Sequence, residues 1–192
     1  MTTSRLVGTA AFGVRAPIIR EGDDLVTIVA DSLLQAQQSG AFTIRDHDVV
    51  GVTESLVARA QGNYASIDAV ASDAAAKLPG DFVVLSPILS RNRFSVILKG
   101  LARSGRKITV MLNYPCDEVG NHLMDVDEMD AAGINPYTDV LTEADYRRHF
   151  GHRFKHPFTG LDYIDLYKSL AVDGNIEVVL ANDYRAALRF AP

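Results

Sequence analysis

The sequence is poor in cysteine and has no long apolar run. Its one cysteine, Cys116, excludes an intramolecular disulfide, and no residues around it have metal-ligand spacing, which indicates a reducing compartment. The N-terminus lacks the features of a secretory signal, and no apolar run approaches the roughly 20 residues of a membrane span. These absences predict a cytoplasmic protein without a membrane partner.

Positive charge is also scarce. The net charge of −5 and the pI near 5.5 predict that no nucleic acid is bound, since nucleic-acid partners require a basic face. The charges are segregated: residues 91–107 contain six Lys or Arg and no acid, and residues 108–146 contain nine acids and no Lys or Arg. The basic run is either a site for a nucleotide or an acidic substrate tail, with Ser90 to Arg93 at the strand-to-helix turn as its most suggestive part, or a solvated helix face that pairs with the acidic segment.

The order of apolar patterns predicts an α/β fold. Strand patterns occur at residues 6–14, 49–52, 82–85 and 107–112. Helical patterns follow Asp23 or Asp24, either of which can be the cap, and also follow Ser66 and Arg93. A last strand is expected at residues 175–181. This alternation is typical of a mixed sheet flanked by helices. With 47% hydrophobic residues in 192, we expect one domain over residues 1–192, unless the chain is a portion of a longer protein.

After residue 115 the composition changes to Asp, Asn, Gly, Pro and His. We expect an irregular acidic and His-rich lobe at residues 116–160, with short helices at 126–132 and from Thr142 to Phe150. The core would then be formed by residues 1–115 and 161–192.

Hydroxyl, acidic and basic residues follow the predicted strand at residues 49–52. Thr53, Glu54, Ser55 and Arg59 can bind phosphate, because hydroxyl and backbone N–H groups donate to it and arginine neutralises it. The alternative is a helix start in which Ser55 is the cap and Arg59 forms a surface ion pair.

A second group follows the strand that ends at Leu112. Asp117, Glu118 and Asn121 supply the hard oxygen ligands that Mg²⁺ or Mn²⁺ prefers, at the end of a strand where ligands of α/β sheets collect. A solvated acidic turn has the same residues.

Three histidines lie close together in the sequence. His149, His152 and His156 have a spacing that can hold Zn²⁺, but Gly151 and Pro157 interrupt any helix through them, and neighbouring arginines would repel a dication. The segment from His156 to Gly160 is expected to be a lid, a dimer contact or a connecting turn.

Several of these residues also carry a family resemblance. The step Pro17-Ile18-Ile19, the run Glu21-Gly22-Asp23-Asp24-Leu25, the acidic turn with its valine-rich strand, and residues 55–62 follow in that order. In this order and spacing the chain resembles the N-terminal part of the gamma-glutamyl ligase family that extends the deazaflavin coenzyme F-420.

The resemblance implies an α/β homodimer that uses GTP and Mg²⁺ or Mn²⁺ to activate a small carboxylate substrate for attack by the amine of glutamate. It also implies a set of nucleotide-binding residues and leaves the catalytic residues unassigned. Arg59 stands where the family has lysine, Gln61 where it has glutamate, and two later metal-binding motifs of the family are not found. The nucleotide-binding residues would be Ala16, Pro17, Ile18, Ile19, Glu54, Ser55 and Arg59.

Two functions are therefore predicted. The first is a GTP- and divalent-metal-dependent ligase that forms an amide on a small carboxylate, with Asp117, Glu118 and Asn121 as metal ligands. The second is a non-catalytic nucleotide-binding or dimerisation module related to that family.

Overall fold

A computed structural model of the chain describes residues 8–191. The chain divides into two compact units, one up to Tyr64 and one from Ala65. No helix among the described residues combines the length and apolar character that a membrane crossing needs.

The first unit contains two helices and little buried apolar surface. Helix α1 spans Leu25–Gln38, and of the two predicted caps it is the Asp24 carboxylate that accepts a hydrogen bond from the Thr27 N–H. Helix α2 spans Glu54–Ala60. Neither helix has a buried residue, and Ile19 is the one buried hydrophobic residue among those described in this unit.

Two strands predicted in the first unit are wrong over the residues that the structure describes. Residues 8–14 and 49–52 form no strand, whereas Leu6 and Val7 lie outside the described residues. Val49 is 93% exposed. A strand is stable only when a neighbour takes up its backbone hydrogen bonds, and within residues 8–191 no strand pairs with either segment.

The second unit contains a mixed four-stranded sheet, which confirms the predicted α/β class. Strands β1 (Phe82–Leu85), β2 (Ile108–Leu112) and β4 (Ile176–Leu180) are parallel, and β3 (Leu141–Thr142) pairs antiparallel with β4. The order across the sheet is β1-β2-β4-β3. The flanking helices are α3 (Ile67–Lys77), α4 (Phe94–Ala102), α5 (Val126–Ala131), α6 (Glu143–Phe150), α7 (Tyr163–Lys168) and a 3-10 helix (Tyr184–Arg189).

The two faces of the sheet are covered unequally. Both parallel connections, β1 to β2 and β2 to β4, step across the sheet in one direction, and right-handed crossovers of this kind place their helices on the same face. On that face Val110 and Val178 pack with residues of α4, α6 and α7 in the main core. Met111 and Val179 point to the opposite face, where the 3-10 helix covers them.

The structure does not confirm a separate lobe at residues 116–160. This region supplies β3 to the sheet, and Met124, Met129 and Phe150 are buried in the same core as β2. The predicted helices are present, and α6 begins with a capping box in which Thr142 and Asp145 exchange hydrogen bonds. The polar residues of the region occupy turns and caps around these elements.

Helices α3 and α4 pack closely at Gly100. A Cβ atom at this position would lie 2.8 Å from Val70 Cγ1 and 3.0 Å from Val70 Cβ. We expect Gly100→Ala to lower the free energy of unfolding by about 1 kcal/mol, because overpacking costs about 1–3 kcal/mol and the better helix propensity of alanine offsets about 1. Urea unfolding measures the change. Lys99→Ala, on the exposed side of α4, is the control, and a stabilised Gly100→Ala variant would contradict this packing.

Candidate functional site

The carboxyl ends of the three parallel strands lie at the same end of the sheet, where ligands of α/β folds commonly bind. Three loops leave this end of the sheet, after Leu85, Leu112 and Leu180. The loop after β2 contains the predicted metal ligands. The other predicted site residues belong to the first unit and are described separately below.

A buried tyrosine fixes the start of the loop after β2. Tyr114 is 2% exposed, its N–H donates to Asn182 Oδ1, and its hydroxyl donates to the Asp139 carbonyl at 2.8 Å. Burial raises the pKa of Tyr114 to about 12, and the charge of Asp139 acts in the same direction. Because Asn182 follows β4, this contact holds the loops after β2 and β4 together.

Asp117 organises the rest of this loop. One carboxylate oxygen accepts the N–H groups of Val119 and Asn121, and the other accepts Asn121 Nδ2 at 2.8 Å and His156 Nε2 at 3.1 Å. Burial alone would raise the pKa of Asp117, but the hydrogen bonds from Asn121, His156 and Val119 outweigh it and hold the pKa below its usual 3.8. The side chain is 3% exposed. A metal ion at Asp117 would have to replace some of these donors.

His156 connects the Asp117 loop to a distant part of the chain. Its ring is buried edge-on against Tyr163, and its Nδ1 lies 3.3 Å from the Phe158 N–H. Both ring nitrogens therefore lie within hydrogen-bond distance of a partner, Nδ1 of the Phe158 N–H and Nε2 of the Asp117 carboxylate. The segment from His156 to Gly160 therefore forms a turn, closed by a bond from the Gly160 N–H to the His156 carbonyl.

Glu118 differs from its neighbour because its side chain is exposed. It lies close enough for its charge to act on Tyr167, whose pKa is raised mainly by burial. The Tyr167 hydroxyl accepts the Ser90 N–H at 3.0 Å, so Glu118 lies where the loops after β1 and β2 approach each other. Of the three predicted ligands, Glu118 is thus the most accessible to an ion.

His149, His152 and His156, whose spacing can hold Zn²⁺, do not form a joint metal-ligand group in the described part of the chain. His156 is bound to Asp117, and His152 is exposed and lies 3.3 Å from Asp165. His152, Asp162 and Asp165 do form a group whose ligand atoms lie within 4.8 Å of one another. However, Arg147 already bonds both acids, at 2.6 Å to Asp162 and 2.7 Å to Asp165. A guanidinium group therefore fills the cation position at these acids.

The basic run pairs with residues outside the acidic segment. Arg103 bonds Asp68 on α3 at 2.6 Å, and Lys107 bonds Glu177 on β4 at 3.0 Å. The Lys107–Glu177 pair borders a groove of about 230 Å³ at the opposite end of the strands from the candidate site. The expected pairing of residues 91–107 with residues 108–146 is absent among the described ion pairs.

In the first unit, the predicted nucleotide-binding residues occupy two segments. Ala16, Pro17 and Ile18 are exposed, and Ile19 is buried and followed by a turn in which the Asp23 carboxylate accepts the Arg20 N–H. The Gly22 N–H then donates to the Ala60 carbonyl at the end of α2. The segment containing Ile19 is thereby attached to α2.

Helix α2 carries the other predicted nucleotide-binding residues. Because α2 begins at Glu54, Ser55 lies within the helix and is not its cap. The N-cap residue is Thr53, whose side chain makes no cap hydrogen bond. Glu54, Ser55 and Arg59 are exposed. Ser55 and Arg59 are four residues apart and share one side of the helix, as binding of one anion by both would require.

Sequence reasoning missed the long-range contacts of this region. Neither the His156–Asp117 bond nor the Tyr167–Ser90 bond has a local signal, because the partners are 39 and 77 residues apart. The helix cap at Asp162, which accepts the N–H groups of Ile164 and Asp165, could have been found from an acid placed directly before an amphipathic segment.

A protein-family model described as F420-0:Gamma-glutamyl ligase matches residues 13–145. The match covers about two thirds of the chain. It includes the segment around Ile19, helix α2 and the loop that contains Asp117. No curated protein and no solved structure matches the chain.

Proposed function

Because the chain belongs to the F420-0:gamma-glutamyl ligase family, we propose that it is a GTP-dependent amide-forming ligase acting on a small carboxylate substrate. The family match is the observation that carries this proposal, since it extends over both groups of predicted site residues. In such a reaction a phosphoryl group activates the carboxylate, and the amine of glutamate then displaces phosphate.

The nucleotide is proposed to bind at the exposed side of α2. Arg59 would neutralise phosphate charge with its planar, bidentate guanidinium group, and the Ser55 hydroxyl would donate a hydrogen bond. Both side chains are accessible, and no ion pair engages Arg59 in the described part of the chain. The buried Ile19 and the Gly22–Ala60 bond would hold Ala16, Pro17 and Ile18 beside the same helix.

A divalent ion, Mg²⁺ or Mn²⁺, is proposed to bind at the loop after β2. A divalent ion of this kind supplies charge neutralisation in phosphoryl transfer. The exposed carboxylate of Glu118 fits this role, and the Asn121 side-chain oxygen accepts no hydrogen bond from the described residues. Asp117 would mainly stabilise the conformation of the loop, because each of its two carboxylate oxygens already accepts two hydrogen bonds.

The family also suggests the partners of the protein. These would be small molecules, namely GTP, glutamate and the carboxylate substrate. We further propose that the protein is a cytoplasmic homodimer. Positioning and charge neutralisation would supply most of the rate acceleration, as in other phosphoryl transfers.

Nucleotide binding is tested by thermal unfolding. We expect GTP with Mn²⁺ to raise the melting temperature, because a ligand that binds only the folded state stabilises it. Arg59→Ala should remove most of this shift, whereas Arg59→Lys, which restores the residue type of the family, should retain part of it. Arg45→Ala removes an exposed arginine of the same unit and is the control. Equal shifts in the Arg59→Ala and Arg45→Ala variants would refute the assignment of Arg59.

Catalysis is tested separately, by measuring GDP and phosphate release with glutamate and candidate carboxylates, and by mass spectrometry of the amide product.

The second candidate function is the non-catalytic nucleotide-binding or dimerisation module. The saturated hydrogen bonding of Asp117 favours this alternative, as do the two family motifs that the sequence lacks. If the protein binds GTP but releases no GDP or phosphate with any of the carboxylates tested, this second function is supported.

A further inference from the structure

The loop after β1 enters helix α4 through a turn, Ser90-Arg91-Asn92-Arg93, that has no part in the proposed function. This loop leaves the sheet at the same end as the loops after β2 and β4, where ligands of α/β folds commonly bind. Residues 90–95, which we call the α4 turn, all belong to the second compact unit, and the contacts that shape them are internal to that unit.

The N-cap residue of α4 cannot satisfy the start of the helix. N-cap residues commonly accept an N–H group of the first turn with a side-chain oxygen. Arg93 occupies this position, has only donors and makes no cap hydrogen bond. In the described part of the chain, the N–H groups of Arg91, Asn92 and Phe94 form no hydrogen bond. The start of α4 thus presents free donors without a local acceptor.

Positive charge is concentrated at the same point. The N-terminus of a helix carries a partial positive charge, which favours acids there and disfavours arginine. Arg91 and Arg93 are exposed, and the first turn of α4 contains no acid. Neither arginine takes part in an ion pair among the described residues. A bound anion would offset this repulsion and accept the free N–H groups.

A buried hydroxyl independently indicates a ligand. Ser95 is 5% exposed, and its hydroxyl makes no hydrogen bond with the residues that the structure describes. Its oxygen is not fully enclosed by protein atoms, so a small ligand can reach it. Because Cα–Cβ bonds in a helix tilt toward the N-terminus, the side chain of Ser95, the second residue of α4, is directed toward the free N–H groups.

A buried tyrosine fixes the conformation of the α4 turn. Tyr167, which is fully buried on α7, accepts the Ser90 N–H at 3.0 Å, and its ring packs edge-on against Phe94. The Ser90 hydroxyl oxygen accepts the Arg93 N–H at 2.8 Å. The turn is therefore organised before a ligand arrives, which reduces the entropy lost on binding.

We propose that the α4 turn is an oxyanion site, in which Arg91, Arg93, the free N–H groups and the Ser95 hydroxyl bind a phosphate or carboxylate group of a small molecule. Guanidinium groups bind both oxyanions with two parallel hydrogen bonds, and helix N-termini bind them through backbone N–H groups. The site itself does not depend on the proposed ligase activity. That its occupant is the acidic group of the carboxylate substrate rests on the proposed function.

Inorganic phosphate and succinate are the probes, because each carries one of the two oxyanions. They are titrated into the full chain by calorimetry and thermal unfolding, with the ionic strength held constant by chloride to exclude screening effects. We expect the melting temperature to rise, because the anion binds the folded state, and the tighter of the two probes identifies the bound group. Absence of binding by both anions would overturn the proposal.

Two variants test the assigned residues. Arg93→Ala should raise the dissociation constant of the anion about tenfold or more, because it removes a charge-assisted hydrogen bond. Ser95→Ala should raise it by about two- to tenfold, since the hydroxyl is neutral. Lys99→Ala removes the same charge from the last turn of the same helix and is the matched control. Equal binding by Arg93→Ala and Lys99→Ala would contradict the site.

A reversed charge separates ligand binding from a structural role of Arg93. Arg93→Asp supplies the missing acceptor and a favourable charge at the N-cap, so it should raise the melting temperature of the anion-free protein and abolish anion binding. If Arg93 instead pairs with an acid elsewhere in the full chain, this variant lowers the melting temperature, and the proposal is overturned.

Arg59→Ala distinguishes this site from the proposed nucleotide site. It should leave phosphate and succinate binding unchanged, because Arg59 has no part in the α4 turn. Loss of GTP binding together with retained anion binding is the expected result. Loss of phosphate binding in Arg59→Ala would assign the anion to the nucleotide site and overturn the proposal.

Discussion

Arg147→Ala is expected to lower the free energy of unfolding by about 3 kcal/mol, because it leaves a nearly buried carboxylate without its cation. Arg147 and Asp162 have side chains that are 13% and 10% exposed, and two parallel hydrogen bonds join them at 2.6 and 3.2 Å. Arg147 also donates to the Gly151 carbonyl at the end of α6. One guanidinium group thereby joins the end of α6 to the start of α7.

The neighbouring residue provides the control for this prediction. Arg148 bonds Asp145 at 2.7 Å, but its side chain is 66% exposed, and exposed pairs contribute about 0–1 kcal/mol. Arg148→Ala should therefore have a small effect in urea unfolding. Arg147→Lys should fall between the two, because lysine retains the charge but cannot form the two parallel bonds. Equal losses for Arg147→Ala and Arg148→Ala would contradict the role given to the Arg147–Asp162 pair.

The second large effect is expected at Asp117. Asp117→Ala should lower the free energy of unfolding by about 2–4 kcal/mol, because the donors on Asn121, Val119 and the buried His156 lose their common acceptor. Glu118→Ala removes the same charge one residue further on, from an exposed side chain, and should change stability by less than about 0.5 kcal/mol. Both variants are measured in EDTA, so that a bound metal contributes nothing.

The pH dependence of the Asp117 contribution has a definite sign. The pKa of Asp117 is lower in the folded state than its usual value of 3.8, so the folded state favours the charged form. The stabilisation is then fully present above that usual value and is lost as the pH falls through the lower folded pKa. Asp117→Asn should accordingly lose its disadvantage relative to the wild type as the pH falls through the lowered pKa of Asp117. A difference that persists unchanged at lower pH would contradict a carboxylate acceptor at this position.

Metal addition separates a ligand role of Asp117 from a structural one. If Mn²⁺ stabilises the wild type and Asp117→Asn equally but fails to stabilise Glu118→Ala, the ion binds Glu118 and Asp117 only shapes the loop. A loss of Mn²⁺ stabilisation in Asp117→Asn alone would instead make Asp117 the ligand.

The sequence by itself determined the local elements and the family. Caps such as Asp24, Ser66 and Thr142 mark helix starts through hydrogen bonds to residues three positions away, so their signal lies within one turn of chain. The apolar runs of β1, β2 and β4 were equally visible. The resemblance carried by residues 17–25 and 55–62 led to the family whose match extends to residue 145.

Only the tertiary structure decided which patterns become strands and which polar residues meet. The valine-rich segment at residues 49–52 has the composition of a strand but no partner among the described residues, whereas β3, with two residues, pairs with β4. Likewise Asp117 is joined to His156, 39 residues away, and Arg147 to Asp162, 15 residues away. A strand or an ion pair is stabilised by its partner, and the position of that partner depends on how the whole chain folds.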